Sequence, residues 1–117
     1  MIVDDEEDIT DALKAGLEGR GFAVDSFNDP LVALKKFGPG VYDLSILDIR
    51  MPRMSGFELY REMRKLDGEA SVCFLTAFDV RRDEFERMFP EVEVKAFLRK
   101  PITIEDLVTR LNQLVPR

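Results

Sequence analysis

Histidine is absent from this sequence of 117 residues. Imidazole-ligated metal sites, Ser-His-Asp catalysis and a phosphohistidine donor are therefore excluded for the chain acting alone. Any nucleophilic or acid–base chemistry falls to carboxylates, Lys, Thr, Ser, Tyr or Cys. Cysteine is almost absent too. The single Cys73 lies in the apolar run Val72-Cys73-Phe74-Leu75, which excludes an internal disulfide framework and reads as a small buried hydrophobe in a reducing compartment. Basic surplus is lacking: the net charge is −6, with no clustered Lys/Arg stripe, so direct nucleic-acid binding is not expected. No apolar run reaches membrane-spanning length and no signal peptide is visible at the start, so the expectation is a cytoplasmic domain without membrane contact. What remains is a chain with 45% apolar residues, enough for a real core and of a length suited to one domain spanning 1–117.

Two hydrophobic periods alternate along the chain. Met1-Ile2-Val3 is a short apolar run that stops at acids. Ile9, Ala12, Leu13 and Leu17 then recur at helical spacing, and Gly19 and Gly21 bracket the end of that helix. Phe22 to Phe27 reads as a strand. Asn28-Asp29-Pro30 offers a capping side chain followed by proline in the first turn of a helix that carries Leu31, Leu34 and Phe37. Leu44 to Leu47 is a central strand ending at Asp48. Ser55 with Glu58 forms a capping box for a helix through Leu66. Val72 to Leu75 is a fourth strand ending at Thr76. A helix is expected through Asp79 to Phe89, stopped by Pro90, then a strand over Val94 to Leu98 and a final helix capped by Thr103. Five strands alternating with five helices imply an α/β fold, a parallel sheet doubly wound by helices on both faces.

Ligands in such folds bind outside the carboxyl ends of the strands. Those ends carry Asp4-Asp5, Asp48, Thr76-Ala77 and Lys100. Two like charges about 4 Å apart cost on the order of 1 kcal/mol in water and about 4 kcal/mol at a protein surface. A hard divalent cation relieves the crowding, and Mg²⁺ favours one or two carboxylates together with phosphate oxygens. Asp5 and Asp48 suit direct ligation, Asp4 a water-mediated role, and Lys100 a fixed positive charge opposite. An acidic pocket with a cation, a Lys and a hydroxyl suits phosphoryl transfer, with one carboxylate as nucleophile. Taken singly, these residues have plainer readings. The run Asp4 to Asp8 is a solvated helix start, Thr76 a strand-end residue bonding its own backbone, and Lys100 a surface charge. The weight lies in their joint occurrence at strand ends.

Val3-Asp4-Asp5-Glu6, Leu47-Asp48-Ile49-Arg50-Met51-Pro52 with Gly56, Leu75-Thr76-Ala77 and Lys100-Pro101 occur in the order and at roughly the spacings of response-regulator receiver domains, which the chain resembles over its whole length. The resemblance implies a flavodoxin-like sheet of strand order 2-1-3-4-5. It casts Asp48 as the phosphoryl acceptor and Asp5, Asp48 and the backbone carbonyl of Arg50 as ligands of Mg²⁺ (or Mn²⁺), with Asp4 acting through water. Thr76, Ala77 and Lys100 become the phosphoryl-binding residues and Phe97 the aromatic switch, while Arg50 and Phe78 tune autodephosphorylation. The Lys100-Pro101 bond is expected to be cis. The implied donor is a phosphohistidine of a sensor kinase or phosphotransfer protein. The implied output is a downstream protein, or a second copy, reading the face of the fourth helix, fifth strand and last helix. Two alternatives compete. A haloacid-dehalogenase-type phosphatase needs a second Asp two residues after the nucleophile, where this chain has Arg50. A degenerate receiver that is never phosphorylated fits poorly with the intact acceptor, acid pair, Thr and Lys.

Overall fold

The computed structural model describes residues 1–77, 83, 86–87 and 96–115. Five strands form one parallel sheet: β1 (Ile2–Val3), β2 (Ser26–Phe27), β3 (Ser45–Leu47), β4 (Val72–Thr76) and β5 (Ala96–Arg99). Their order is β2-β1-β3-β4-β5, as expected. Between them run α1 (Glu7–Glu18), α2 (Pro30–Lys36) and α3 (Gly56–Leu66), and a C-terminal helix covers Ile104–Leu114. The helix expected over 79–89 and the segment 88–95 fall largely outside the described residues, as does Phe78.

Strand side chains alternate between faces, and the parallel register aligns them into rows. Ile2 lies beside Ile46 and Ile46 beside Cys73; Val3, Leu47 and Phe74 form the adjoining row. The first row packs with Leu13 and Leu17 of α1 and Leu107 and Leu111 of the C-terminal helix. The second packs with Ala33 of α2 and Phe57, Leu59, Tyr60 and Met63 of α3. Each face of the sheet thus has its own core, which is why the central strands are buried throughout and largely apolar, with Ser45 and Thr76 the polar exceptions in β3 and β4, rather than alternating. Cys73 is fully buried, and burial pushes its thiol up to about 12, so it is inert at neutral pH, as its apolar surroundings suggested.

Local chemistry sets the helix starts. Asp29 accepts from the amide of Leu31, with Pro30 at the first helical position. Ser55 and Glu58 exchange both bonds of the capping box, at 3.1 and 3.2 Å. Thr103 accepts from the amide of Asp106 at 3.1 Å. One expectation needs correcting. The strand anticipated over Phe22 to Phe27 is realised only at Ser26–Phe27. Its partner β1 offers just Ile2–Val3, so there is no further ladder to extend along.

Candidate functional site: an acidic cluster at the strand ends

β1, β3, β4 and β5 all deliver their carboxyl ends to one edge, so side chains far apart in sequence meet there. Asp4 follows β1 and Asp48 follows β3. The amide of Asp48 donates to the carbonyl of Val3 at 2.9 Å, continuing the β1–β3 ladder to the site itself. Asp4, Asp5 and Asp48 each offer a carboxylate oxygen within 4.8 Å of the others. Asp4 and Asp48 are buried, at 2% and 6% exposure, whereas Asp5 is exposed.

Lys100 reaches in from the end of β5. Its Nζ donates to Asp4 Oδ2 at 2.5 Å, stands 3.6 Å from Asp48 Oδ2 and 4.0 Å from Glu6 Oε1. Its amide donates to the carbonyl of Thr76 at 2.8 Å, which ties the ends of β4 and β5 together. The Lys100-Pro101 bond is cis. Thr76 is buried at the end of β4, and Ala77 beyond it is exposed.

The electrostatics follow from this division of one ammonium among several carboxylates. Burial, then the charge of Asp4, push the Asp48 carboxyl up to about 6. Lys100 opposes the rise and Asp5 adds to it, while a hydrogen bond from the Ile49 backbone lowers it. Burial also works against the charge of Lys100. The hydrogen bond to Asp4 and the fields of Asp48, Asp4 and Glu6 outweigh it and hold Lys100 above its ordinary value. Lys100 spends its short bond on Asp4, leaving Asp48 incompletely balanced. Three hard oxygen donors with unbalanced negative charge fit a small divalent cation, whose ligands at about 2.1 Å would stand about 3 to 4 Å from one another. That spacing asks for only a slight contraction of the cluster.

The loop after β3 is shaped by close packing. A Cβ on Gly56 would fall 2.2 Å from the carbonyl oxygen of Asp48, and the Gly56 amide donates to the Ile49 carbonyl at 2.8 Å. Glycine here lets the start of α3 press directly on the backbone of Asp48. Within this loop Arg50 is exposed and Arg53 adopts a positive φ of 73°.

Of the residues singled out from the sequence, Asp4, Asp5, Asp48 and Lys100 converge on one point, and Thr76 joins them through the Lys100 amide. Phe97 does not enter the cluster. It is partly buried in the core, stacked on Phe74 with ring centroids 5.4 Å apart. Two residues of the site's framework, Asn28 and its partner Thr10, were missed. Asn28, read only as part of a helix start, donates from Nδ2 to the Asp4 carbonyl and to Thr10 Oγ1, each at 2.9 Å. No local pattern reveals a bond to residues 24 and 18 positions away.

Comparison with known proteins agrees with this arrangement. Residues 1–112 match the family described as response regulator receiver domain. The transcriptional regulatory protein CreB of Escherichia coli is 36% identical, over 99% of this chain and 50% of its own length. The chain spans about half the length of the curated relatives it matches. Among solved structures, the response regulator TrrA of Thermotoga maritima, in complex with Mg²⁺-BeF, is 33% identical with a TM-score of 0.81, covering 97% of this chain and 96% of that one. The non-phosphorylated receiver domain of HemR from Leptospira biflexa is 26% identical with a TM-score of 0.85, covering 99% and 94%. Strand order, strand-end acids and sequence matched over nearly the full length all lead to one assignment: this chain belongs to the response regulator receiver domains, the regulatory modules of two-component systems.

Proposed function

We propose that residues 1–117 act as a single receiver domain that accepts a phosphoryl group on Asp48 from a phosphohistidine of a sensor kinase or phosphotransfer protein. The observation that carries this reading is the convergence of Asp4, Asp5 and Asp48 with Lys100 at the strand ends. In the transfer, a carboxylate oxygen of Asp48 attacks phosphorus. The P–N bond to the partner's imidazole breaks, the imidazole takes the electron pair and then a proton, and Asp48 becomes an acyl phosphate. Asp5, Asp48 and the Arg50 carbonyl would hold Mg²⁺ (or Mn²⁺), with Asp4 acting through water. When bound, the cation supplies positive charge against the phosphoryl oxygens. Lys100 adds charge on the opposite side and Thr76 donates a hydrogen bond to the incoming group.

Output follows as a shift of population between two arrangements. Thr76 moves toward the phosphoryl group and Phe97 turns into the space it leaves. The surface around β5 and the C-terminal helix then changes for a downstream protein or a second copy. Attack of water on the acyl phosphate resets the domain, with Arg50 governing access. The domain is regulatory rather than a turnover enzyme, and we place it in the cytoplasm, where sensor kinases present their phosphohistidine. No helix among the described residues is long and apolar enough to cross a membrane.

The test is intact-protein mass after incubation with Mg²⁺ and acetyl phosphate, for wild type and Asp48→Asn. One added phosphoryl group, labile to hydroxylamine and missing in the variant, is expected. Absence of both phosphorylation and Mg²⁺ binding in wild type would instead favour a receiver that works without phosphorylation.

A further inference from the structure

The end of β2 contributes no side chain to the acidic cluster, yet Asn28 at that end is bonded to the loop that carries Asp4 and Asp5. Its Nδ2 donates one hydrogen to the Asp4 carbonyl and the other to Thr10 Oγ1, both at 2.9 Å. The assignment of the amide is fixed by its partners. A carbonyl can only accept, and the Thr10 hydroxyl already spends its own hydrogen on the Glu7 carbonyl at 3.0 Å. Asp4 and Thr10 are buried, at 2% and 1% exposure. The bonded carbonyl belongs to the peptide joining Asp4 to Asp5, so Asn28 fixes the plane from which Asp5 projects. Through Thr10 it also fixes that plane relative to the first turn of α1. The Asp4 side chain is held separately, by the Glu6 amide at 3.0 Å and by Lys100.

We propose that Asn28, with Thr10, is a positioning residue for cation binding. It sets the orientation of Asp5 through the Asp4–Asp5 peptide without touching the ion. This rests on reading the acidic cluster as a divalent-cation site. Partners that orient metal ligands in this way are typically worth about 10- to 100-fold in affinity. The neighbouring Asp29–Arg53 ion pair, at 2.8 Å, also links two loops, but Arg53 is exposed and the pair is correspondingly weak.

Asn28→Asp provides a sharp test. It keeps the shape and removes both donors, yet it adds a negative charge near the cluster. Charge alone would tighten cation binding; loss of positioning weakens it. Mg²⁺ affinity is measured by calorimetry on the full chain for wild type, Asn28→Asp, Thr10→Val and Thr10→Ser, alongside unfolding temperature in chelator. Asn28→Asp and Thr10→Val are expected to lose roughly tenfold in affinity. Thr10→Ser, which keeps the hydroxyl, should stay within about twofold. Wild type that binds Mg²⁺ while Asn28→Asp and Thr10→Val bind equally well, whatever their unfolding temperatures, overturns this assignment alone. Wild type that binds no Mg²⁺ overturns both it and the cation-site reading.

Discussion

Replacing Asp48 by Asn should make the metal-free protein more stable, and by an amount the site geometry allows us to work out. Asp48 is 6% exposed and lies among Asp4, Asp5 and a Lys100 that is bonded elsewhere. Its carboxyl is raised from 3.8 to about 6 in the fold. Each tenfold change in proton affinity is worth about 1.4 kcal/mol, so keeping this carboxylate ionised costs the fold roughly 2–3 kcal/mol above pH 6. The folded state holds its proton more tightly than the unfolded chain does. Stability is therefore lost as pH rises from about 4 to about 6 and stays lost above. Asn carries no such cost. For a domain of this size the difference corresponds to about 8–12 °C in unfolding temperature. The assay is thermal unfolding of wild type and Asp48→Asn in chelator from pH 4 to pH 8. The variant should lead by that margin at pH 8, and the two curves should converge near pH 4. Saturating Mg²⁺ should raise wild type, by about 2.7 kcal/mol at a hundredfold excess over Kd, and leave the variant nearly unmoved. An Asp48→Asn protein no more stable than wild type at pH 8, or a gap that does not close toward pH 4, would refute the charge argument.

Three further outcomes are expected. Lys100→Met removes the ammonium that bonds Asp4, so it should lower the metal-free unfolding temperature while Mg²⁺ affinity is kept or improved, and phosphorylation by acetyl phosphate should slow markedly. Gly56→Ala places a methyl against the Asp48 carbonyl at 2.2 Å, a clash with backbone that should cost about 1–3 kcal/mol or more in urea unfolding. Ser55→Ala breaks the capping box of α3 and should cost about 1 kcal/mol in the same assay.

The parts of this protein most legible in its sequence are those whose chemistry is local. Ser55 with Glu58, Asp29 with Pro30, and Thr103 with Asp106 each complete a helix terminus within three residues, so their order along the chain is enough to read them. The meeting of Asp4, Asp48 and Lys100 was legible only indirectly. Parallel strands must bring their ends to one edge, and the sequence showed what those ends carry. Strand extent was less accessible. Phe22 to Asp25 have strand-like composition, but a ladder needs a partner, and β1 pairs only through Ile2 and Val3. The roles of Asn28 and Gly56 were hidden for another reason. An Asn before Asp-Pro already has a sufficient local explanation as a cap, and nothing nearby indicates that its amide crosses to Asp4. Gly56 matches the family pattern, but its closeness to the Asp48 carbonyl is a property of the folded loop.

The strand order carries a mechanical consequence. Among the described residues β2 and β5 are the two rim strands, β5 pairing with β4 alone, whereas β1, β3 and β4 are each held on both sides. Displacing an interior strand breaks two ladders; displacing β5 strains one. The sheet is therefore stiff through its middle and compliant at this rim. Lys100 sits at the end of the compliant strand, yet its ammonium is anchored on Asp4 at the stiff centre. A change of charge at the centre would therefore pull on a strand held by one ladder, where the sheet resists least, rather than on an interior strand held by two.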